Sequence, residues 1–520
     1  MPERKKATEP GKFRQLFLAL IGKYLGVSGL RGGDARGSRV ASGRIGTGRG
    51  TAERKRFDRY NCVLANISTM SYGMMVGWPS PALPQLQSEN PAVGKEPMTD
   101  ETASWLNGTM CLTAAFITLG IGGLADRYGR KVIGCLAALP CCVAWLLIIF
   151  ATEQTHLLVA RFFSGMGAAA VLFVVPTYVS EISCDAIRGM LGSLLVLILN
   201  GGILFVYILG ALCSFRVVAI VAFTLPLLYL AFFLFVPESP VYLIRPRNSQ
   251  ASGFSHSCSG RISLLYLKVS GRSIGPRDLF RDRATIKGLI ITLGLFSGQQ
   301  FCGIFAMVKT RYTETIFGIS GSSLSPHASA VIVGAIQLFG SYLSTSLMER
   351  LGRRPLLLIS CSGMCVCHYV LGTFCYLQSL RYDVTVFNWI PVTVLSTFVI
   401  MFSLGMGPGP YVVSSEILSR DVSSLTVTLG LFSVWSTTFL VLKFFPNVVA
   451  WLGMYGCFFL LGTLCAFNCA FVFALIPETK GLPRQLILDR LSGAPYTLNN
   501  TQYVSSSDVI EKSMPPPEQV

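Results

Sequence analysis

Charge is scarce in this chain. Asp, Glu, Lys and Arg make up 13% of its 520 residues, and 52% are hydrophobic. A soluble globular chain carries about 25% charged residues. Such a shortage is what hydrocarbon imposes, because ionised side chains are costly at bilayer depth. Acids are the scarcer sign, 26 against 43 Lys and Arg. Histidine is nearly absent: His156, His256, His327 and His368 are the only four. They assemble no nucleophile or metal constellation, so neither an enzyme nor a metal or cofactor is expected. No Gly-x4-Gly-Lys-Ser/Thr loop is present, which excludes ATP-driven chemistry of that type. The cysteines lack zinc or disulfide spacing, and several, such as Cys135, Cys141, Cys361 and Cys367, fall inside apolar runs as small packing residues. From Asn61 to Leu83 there is no Asp, Glu or His. Intramembrane ionisable groups are the usual proton carriers, so a membrane function here is expected to be passive.

Long apolar stretches are abundant. About twelve of them approach the ~20 residues that a spanning helix takes. The sequence therefore predicts an all-α membrane protein with twelve transmembrane helices in two six-helix bundles. The expected division is a basic tail (1–58), a first bundle (59–236), a loop (237–284), a second bundle (285–476) and a tail (477–520). No cleavable leader is expected, since the apolar stretch within 15–30 is short and interrupted by Lys23 and glycine. The net charge of +17 does not read as nucleic-acid binding. Its cations gather in the first tail and in alternate loops, at Arg127 to Lys131, Arg188, Arg245 to Arg283 and Arg350 to Arg354. The positive-inside rule then puts both termini in the cytoplasm, and the expected location is the plasma membrane.

The two halves repeat one another. Asp126-Arg127-Tyr128-Gly129-Arg130-Lys131 matches Glu349-Arg350-Leu351-Gly352-Arg353-Arg354. Pro176-Thr177-Tyr178 leads to Glu181, and Pro410-Tyr411 leads to Glu416. Pro237-Glu238-Ser239-Pro240 is matched by Pro477-Glu478-Thr479-Lys480. The offset of about 220 to 240 residues fits one six-span half per copy, the internal duplication of many transporters. Acids and arginines at the span ends can pair across the two halves when the inner side is closed. Asp126, Glu181, Glu238, Glu349, Glu416 and Glu478 are candidate acceptors, and Arg127, Arg130, Arg188, Arg350 and Arg353 candidate donors. The alternative is that some of these cations only anchor topology. Arg161, with no acid beside it, is assigned to the same cytoplasmic network. Pro408 and Pro410 lack an amide donor and are expected to bend the tenth span beside a pathway.

These motifs, together with Arg161, Gly165 and Gly167, Arg188-Gly189, Gln299-Gln300-x-x-Gly303 and Gly407-Pro408-x-Pro410, occur in the order of the sugar porter family of the major facilitator superfamily. The chain resembles that family over roughly 59 to 482. Gly77-Trp78-x-Ser80-Pro81 and the stretch from Gln300 to Met307 look most like its facilitated trehalose-transporter branch. The resemblance implies uniport of a neutral sugar such as trehalose or a hexose, by alternating access within a lipid bilayer. It makes Gln299, Gln300 and Gly303 the sugar motif of the seventh span, and Tyr411 and Trp435 its aromatic wall. Gln337 and Asn200 are further neutral polar candidates. Phe305, Val196 and Val434 stand where the family carries amides, and Lys309 and Arg311 where it is apolar or aromatic. These departures keep two alternatives open: a transporter-like sugar sensor without transport, and a carrier of another neutral organic solute.

Overall fold

The computed structural model describes residues 49–182, 188–239, 242, 279–280, 282–305, 326–382, 385–387, 389–418, 423–482 and 484–492. The side chains of 49–60, 188–193, 326–327, 349, 385, 423–424 and 484–485 are excepted. The side chains of Arg188 and Glu349, Lys309, Arg311 and most of both tails and the central loop lie outside the described residues. The chain divides into two units, Met1–Arg54 and Lys55–Val520. The second unit holds both copies of the repeat.

Every regular element among the described residues is helical. The first half holds α1 (Arg49–Gly77), the short α2 (Pro79–Leu86), α3 (Asp100–Tyr128), α4 (Arg130–Ile149), α5 (Gln154–Ile182), α6 (Arg188–Leu212) and α7 (Phe215–Phe233). The second holds α8 (Arg283–Phe301), α9 (Pro326–Leu351), α10 (Arg353–Ser379), α11 (Ile390–Met401), α12 (Gly409–Ile417), α13 (Ser423–Leu475) and α14 (Arg484–Ser492). Nine helical stretches among the described residues are long and apolar enough to cross a membrane. The longest, Leu425–Leu475, has 51 residues, about 77 Å of helix at 1.5 Å per residue. One bilayer core is about 30 Å thick. Its backbone leaves the helical region at Gly453 (φ 68°), which divides it into two limbs. α1 and α8 lie where the first and seventh spans are expected. α8 is not among the nine, and it carries Lys287, Gln299 and Gln300.

Large apolar side chains point outward as well as inward. Phe116, Phe150, Phe339, Phe467 and Phe473 are all exposed, the pattern of a protein whose solvent is lipid. Lipid is as apolar as leucine, so helix association rests on close packing and buried polar contacts. One core cluster gathers residues of α1, α3, α4, α5, α6 and α7 with Leu431 and Trp435 of α13, so it joins the halves. A second belongs to α8 to α14 and includes Cys302, Cys361, Cys367, Cys457 and Cys465 as buried free thiols. The halves also meet along α3 with the first limb of α13 and along α6 with α9.

Candidate functional site

The repeated motif builds the same structure twice. α3 ends at Tyr128 and α4 begins at Arg130, and the residue between them, Gly129, has φ 98°. α9 ends at Leu351, α10 begins at Arg353, and Gly352 again has φ 98°. Only glycine adopts this conformation at low cost. Its missing side chain matters equally. A Cβ on Gly352 would lie 2.7 Å from Glu478 Oε2, and one on Gly129 would collide with Glu238 Oε2. Each glycine lets a distant carboxylate reach the start of a helix.

Those carboxylates cap helices. Glu238 accepts from the backbone N–H of Arg130 at 3.0 Å and of Lys131 at 3.1 Å. Glu478 accepts from the backbone N–H of Arg353 and of Arg354, each at 3.1 Å. The first N–H groups of a helix have no partner within it and form its positive end, so an anion is stabilised there. Burial opposes the charged form of Glu478. The N–H groups of Lys480, Arg353, Arg354 and Thr479 outweigh it and hold the carboxyl below its ordinary value of 4.5.

The arginine side chains take the other acids. Arg130 Nη2 lies 2.9 Å from Asp126 and 3.0 Å from Glu181, and Nη1 donates to the Ala125 carbonyl at 3.0 Å. Ser239 Oγ donates to the second oxygen of Glu181. In the other copy Arg353 donates to Glu416 through Nε at 3.2 Å and Nη2 at 3.0 Å, while Nη1 donates to the Met348 carbonyl at 3.2 Å. Thr479 Oγ1 donates to Glu416 Oε2 at 2.5 Å. The pairing among the described residues thus lies within each half. Arg127 and Arg350 make no ion pair among the described residues: the Arg127 guanidinium lies 5.4 Å from the Tyr128 ring, and the Arg350 carbonyl accepts from Lys480 Nζ at 2.6 Å. Ser239 and Thr479 belong to the clusters although they were not singled out from the sequence. Their recurrence directly after Glu238 and Glu478 was the available signal.

Arg161 corrects its sequence assignment. Its Nε donates to the Leu106 carbonyl at 3.2 Å and Nη1 to the Met75 carbonyl at 2.7 Å, and the guanidinium lies 5.9 Å from the Trp78 ring. Leu106 is near the start of α3, the end opposite the Asp126–Arg130 rim, and Met75 near the end of α1. α5 runs from that far end back to the rim, so an early residue such as Arg161 cannot reach the rim acids. Carbonyl oxygens take the place of an acid as its acceptors.

Deeper in the molecule lie the neutral polar candidates. Gln299 Nε2 donates to the carbonyls of Met406 at 2.7 Å and Gly407 at 2.8 Å, and its Oε1 accepts from Gln300 Nε2 at 3.1 Å. Gly303 follows with φ 84°. Asn200 Nδ2 donates to Ser341 Oγ across the halves at 2.6 Å, and Ser341 donates to the Gln337 carbonyl at 3.0 Å. Gln300 Oε1, Gln337 Oε1 and Trp435 Nε1 are buried with no hydrogen-bond partner among the described residues. Trp435 meets Tyr72 edge-on at 6.1 Å, and Tyr411 meets Phe296 at 5.0 Å. Val196 and Trp435 share one core cluster, against which Phe305 and Tyr411 pack. Two of the three positions where the family carries amides, Val196 and Phe305, thus belong to or pack against the cluster that holds Trp435. Val434 is also buried, and its carbonyl accepts from Thr438 Oγ1 at 2.7 Å. Pro408 and Pro410 follow a π-turn, Phe402–Met406, that separates α11 from α12.

Comparison with known proteins agrees with this architecture. The family described as "Sugar (and other) transporter" matches residues 61–488. The facilitated trehalose transporter Tret1 of Apis mellifera ligustica is 32% identical over 449 residues, covering 83% of this chain and 88% of that protein. Tret1 of Culex quinquefasciatus is 31% identical over 450 residues, 84% and 86% of the two chains. Tret1 of Anopheles gambiae is 31% identical, with 83% of this chain spanning 56% of that longer protein. Among solved structures, the major facilitator superfamily proton:xylose symporter XylE bound to 6-bromo-6-deoxy-D-glucose superposes with a TM-score of 0.69 at 20% identity. The match covers 84% of this chain and 99% of that one. XylE from E. coli in its inward open conformation gives 0.65 at 19% identity, with 84% and 99% covered. At such identities the likeness establishes the major facilitator fold. The chain is a multi-pass membrane transporter belonging to the sugar transporter family.

Proposed function

We propose that this protein moves a neutral sugar, trehalose or a hexose, passively across the plasma membrane by alternating access. Two six-helix bundles, 59–236 and 285–476, rock about a central site. The loop 237–284 and the tails 1–58 and 477–520 lie in the cytoplasm, a placement supported by the cations gathered in the first tail and in the alternate loops. The carrying observation is the set of buried neutral polar atoms left without partners, Gln300 Oε1, Gln337 Oε1 and Trp435 Nε1. Such atoms are costly unless something completes them, and a sugar brings many hydroxyls that donate and accept. Asn200 and Tyr411 contribute to the same wall. The first span offers no acid to carry a proton, which supports uniport. The rim clusters around Arg130 and Arg353 brace the cytoplasmic end of each half, and we assign Arg127, Arg188, Glu349 and Arg350 to the same gating network. The bend at Pro408 and Pro410 lets a gate flex.

Labelled trehalose and glucose uptake in transport-null cells, with and without a protonophore, tests this reading. The expected result is saturable uptake that the protonophore leaves unchanged. Uptake abolished by the protonophore would overturn uniport. Normal surface expression with no uptake of any sugar would overturn sugar carriage and favour a sensor or a carrier of another solute.

A further inference from the structure

One buried histidine plays no part in the site described above. His368 of α10 is fully enclosed, at 0% exposure. Its ring lies 4.7 Å from that of Phe398 in α11 and 6.2 Å from that of Phe458 in α13. No Asp, Glu, Lys or Arg follows Arg354 in α10, none occurs in α11, and none follows Lys443 in α13. An ionisable side chain in such apolar surroundings is costly and marks a role.

Its polar contact is with a break in another span. α8 stops at Phe301, Gly303 takes φ 84°, and the helix resumes at Ile304. Carbonyls at such a break lose their helical donors and must find others at membrane depth. His368 Nε2 lies 2.9 Å from the Cys302 carbonyl oxygen. A carbonyl only accepts, so Nε2 carries the proton. Nδ1 is buried with no hydrogen-bond partner among the described residues. In the neutral ring it is a bare acceptor. In the charged ring it would be a second buried N–H with nothing to receive it and no acid to balance the charge. The ring is therefore neutral and has a single N–H, which it gives to the break.

We infer that His368 is a positioning residue that anchors the break in the seventh span to the ninth, α10. The chain that continues from Ile304 is thereby held to the second half while the two bundles rock. This rests on the sugar-carrier reading above. The bond reaches backbone and not solute, so it governs the rate at which the carrier changes state and leaves affinity alone. The other use of a membrane histidine, passing a proton, needs a ring that charges, which these surroundings oppose. Glutamine separates the two roles, because its amide sets an N–H donor where Nε2 stands and does not titrate.

The test uses the full-length protein in proteoliposomes. It measures binding and transport of labelled trehalose and glucose, and amide hydrogen exchange over Cys302 to Phe305. His368→Leu should lower Vmax at least about fivefold, keep the dissociation constant within about threefold of wild type, and speed exchange over the break at least about threefold. His368→Gln should restore both Vmax and protection. If the leucine variant does not reach the membrane, His368→Asn takes its place, since the shorter amide ends at the Nδ1 position and leaves the Cys302 carbonyl unmet. Leucine and asparagine variants that exchange and transport like wild type would overturn the inference. So would a glutamine variant no better than leucine, the result a proton relay gives. A wild-type protein that binds neither sugar would overturn the carrier reading, and the exchange measurement would still decide whether His368 holds the break.

Discussion

Glu478 shows how one side chain can serve a role its charge alone does not suggest. From the sequence it is one more acid near arginines, but its oxygens receive the backbone N–H groups that open α10. Those bonds favour the ionised form, so its folded pKa lies below the unfolded value. A depressed carboxyl stabilises the fold fully above the unfolded pKa, and that contribution disappears as pH falls through the folded one. Wild-type protein in detergent should therefore lose melting temperature on acidification below about pH 4.5. Glu478→Gln should melt lower at pH 7, by about 1 kcal/mol, and show a flatter acid limb. A variant with the wild-type pH profile would remove Glu478 from this role. Gln299 is the second instance: its amide type was legible, and its use of both N–H groups on carbonyls of another span was not.

Among elements, α4 and α10 are started in the same manner, by a glycine with positive φ, a capping carboxylate from the end of the half and an inward arginine. Arg353 links three pieces, since its guanidinium joins Glu416 of α12 to the Met348 carbonyl of α9 while its own N–H meets Glu478. A planar fork reaches these partners together, and a single ammonium does not. Arg353→Lys should cost about 1.5 to 3 kcal/mol, the scale of hydrogen bonds to charged groups. Arg354→Lys should change little, because Arg354 Nη2 donates only to the exposed Phe473 carbonyl. Thermal unfolding of the two variants side by side checks this. Equal melting temperatures would show that charge alone suffices at Arg353.

For the whole molecule, the balance between its two states depends on contacts that cross the halves. At the end opposite the arginine rim, Lys443 Nζ of α13 lies 4.2 Å from the Trp105 ring of α3, and Trp105 also meets Phe439 at 6.4 Å. A cation over an exposed indole contributes about 0.5 to 1 kcal/mol, a roughly two- to fivefold bias of the equilibrium. Trp105→Ala should make an engineered cysteine in the central site react faster with reagent added from that side, by about that factor. Unchanged reactivity from both sides would mean that the contact persists through the transport cycle.

The linear sequence by itself determined the environment, the duplication and the family. Apolar run length, scarce charge and repeated motifs are local properties that survive without coordinates. It also marked Gly129, Gly352, Arg130 and Arg353, because their spacing recurs. Only the tertiary structure decided who meets whom: Glu238 and Glu478 at helix starts, Arg161 on carbonyls far from the rim, Gln299 on the π-turn. Each of these is a hydrogen bond between segments far apart in the chain. Residue type fixes the capacity to donate or accept, and the fold alone fixes the partner.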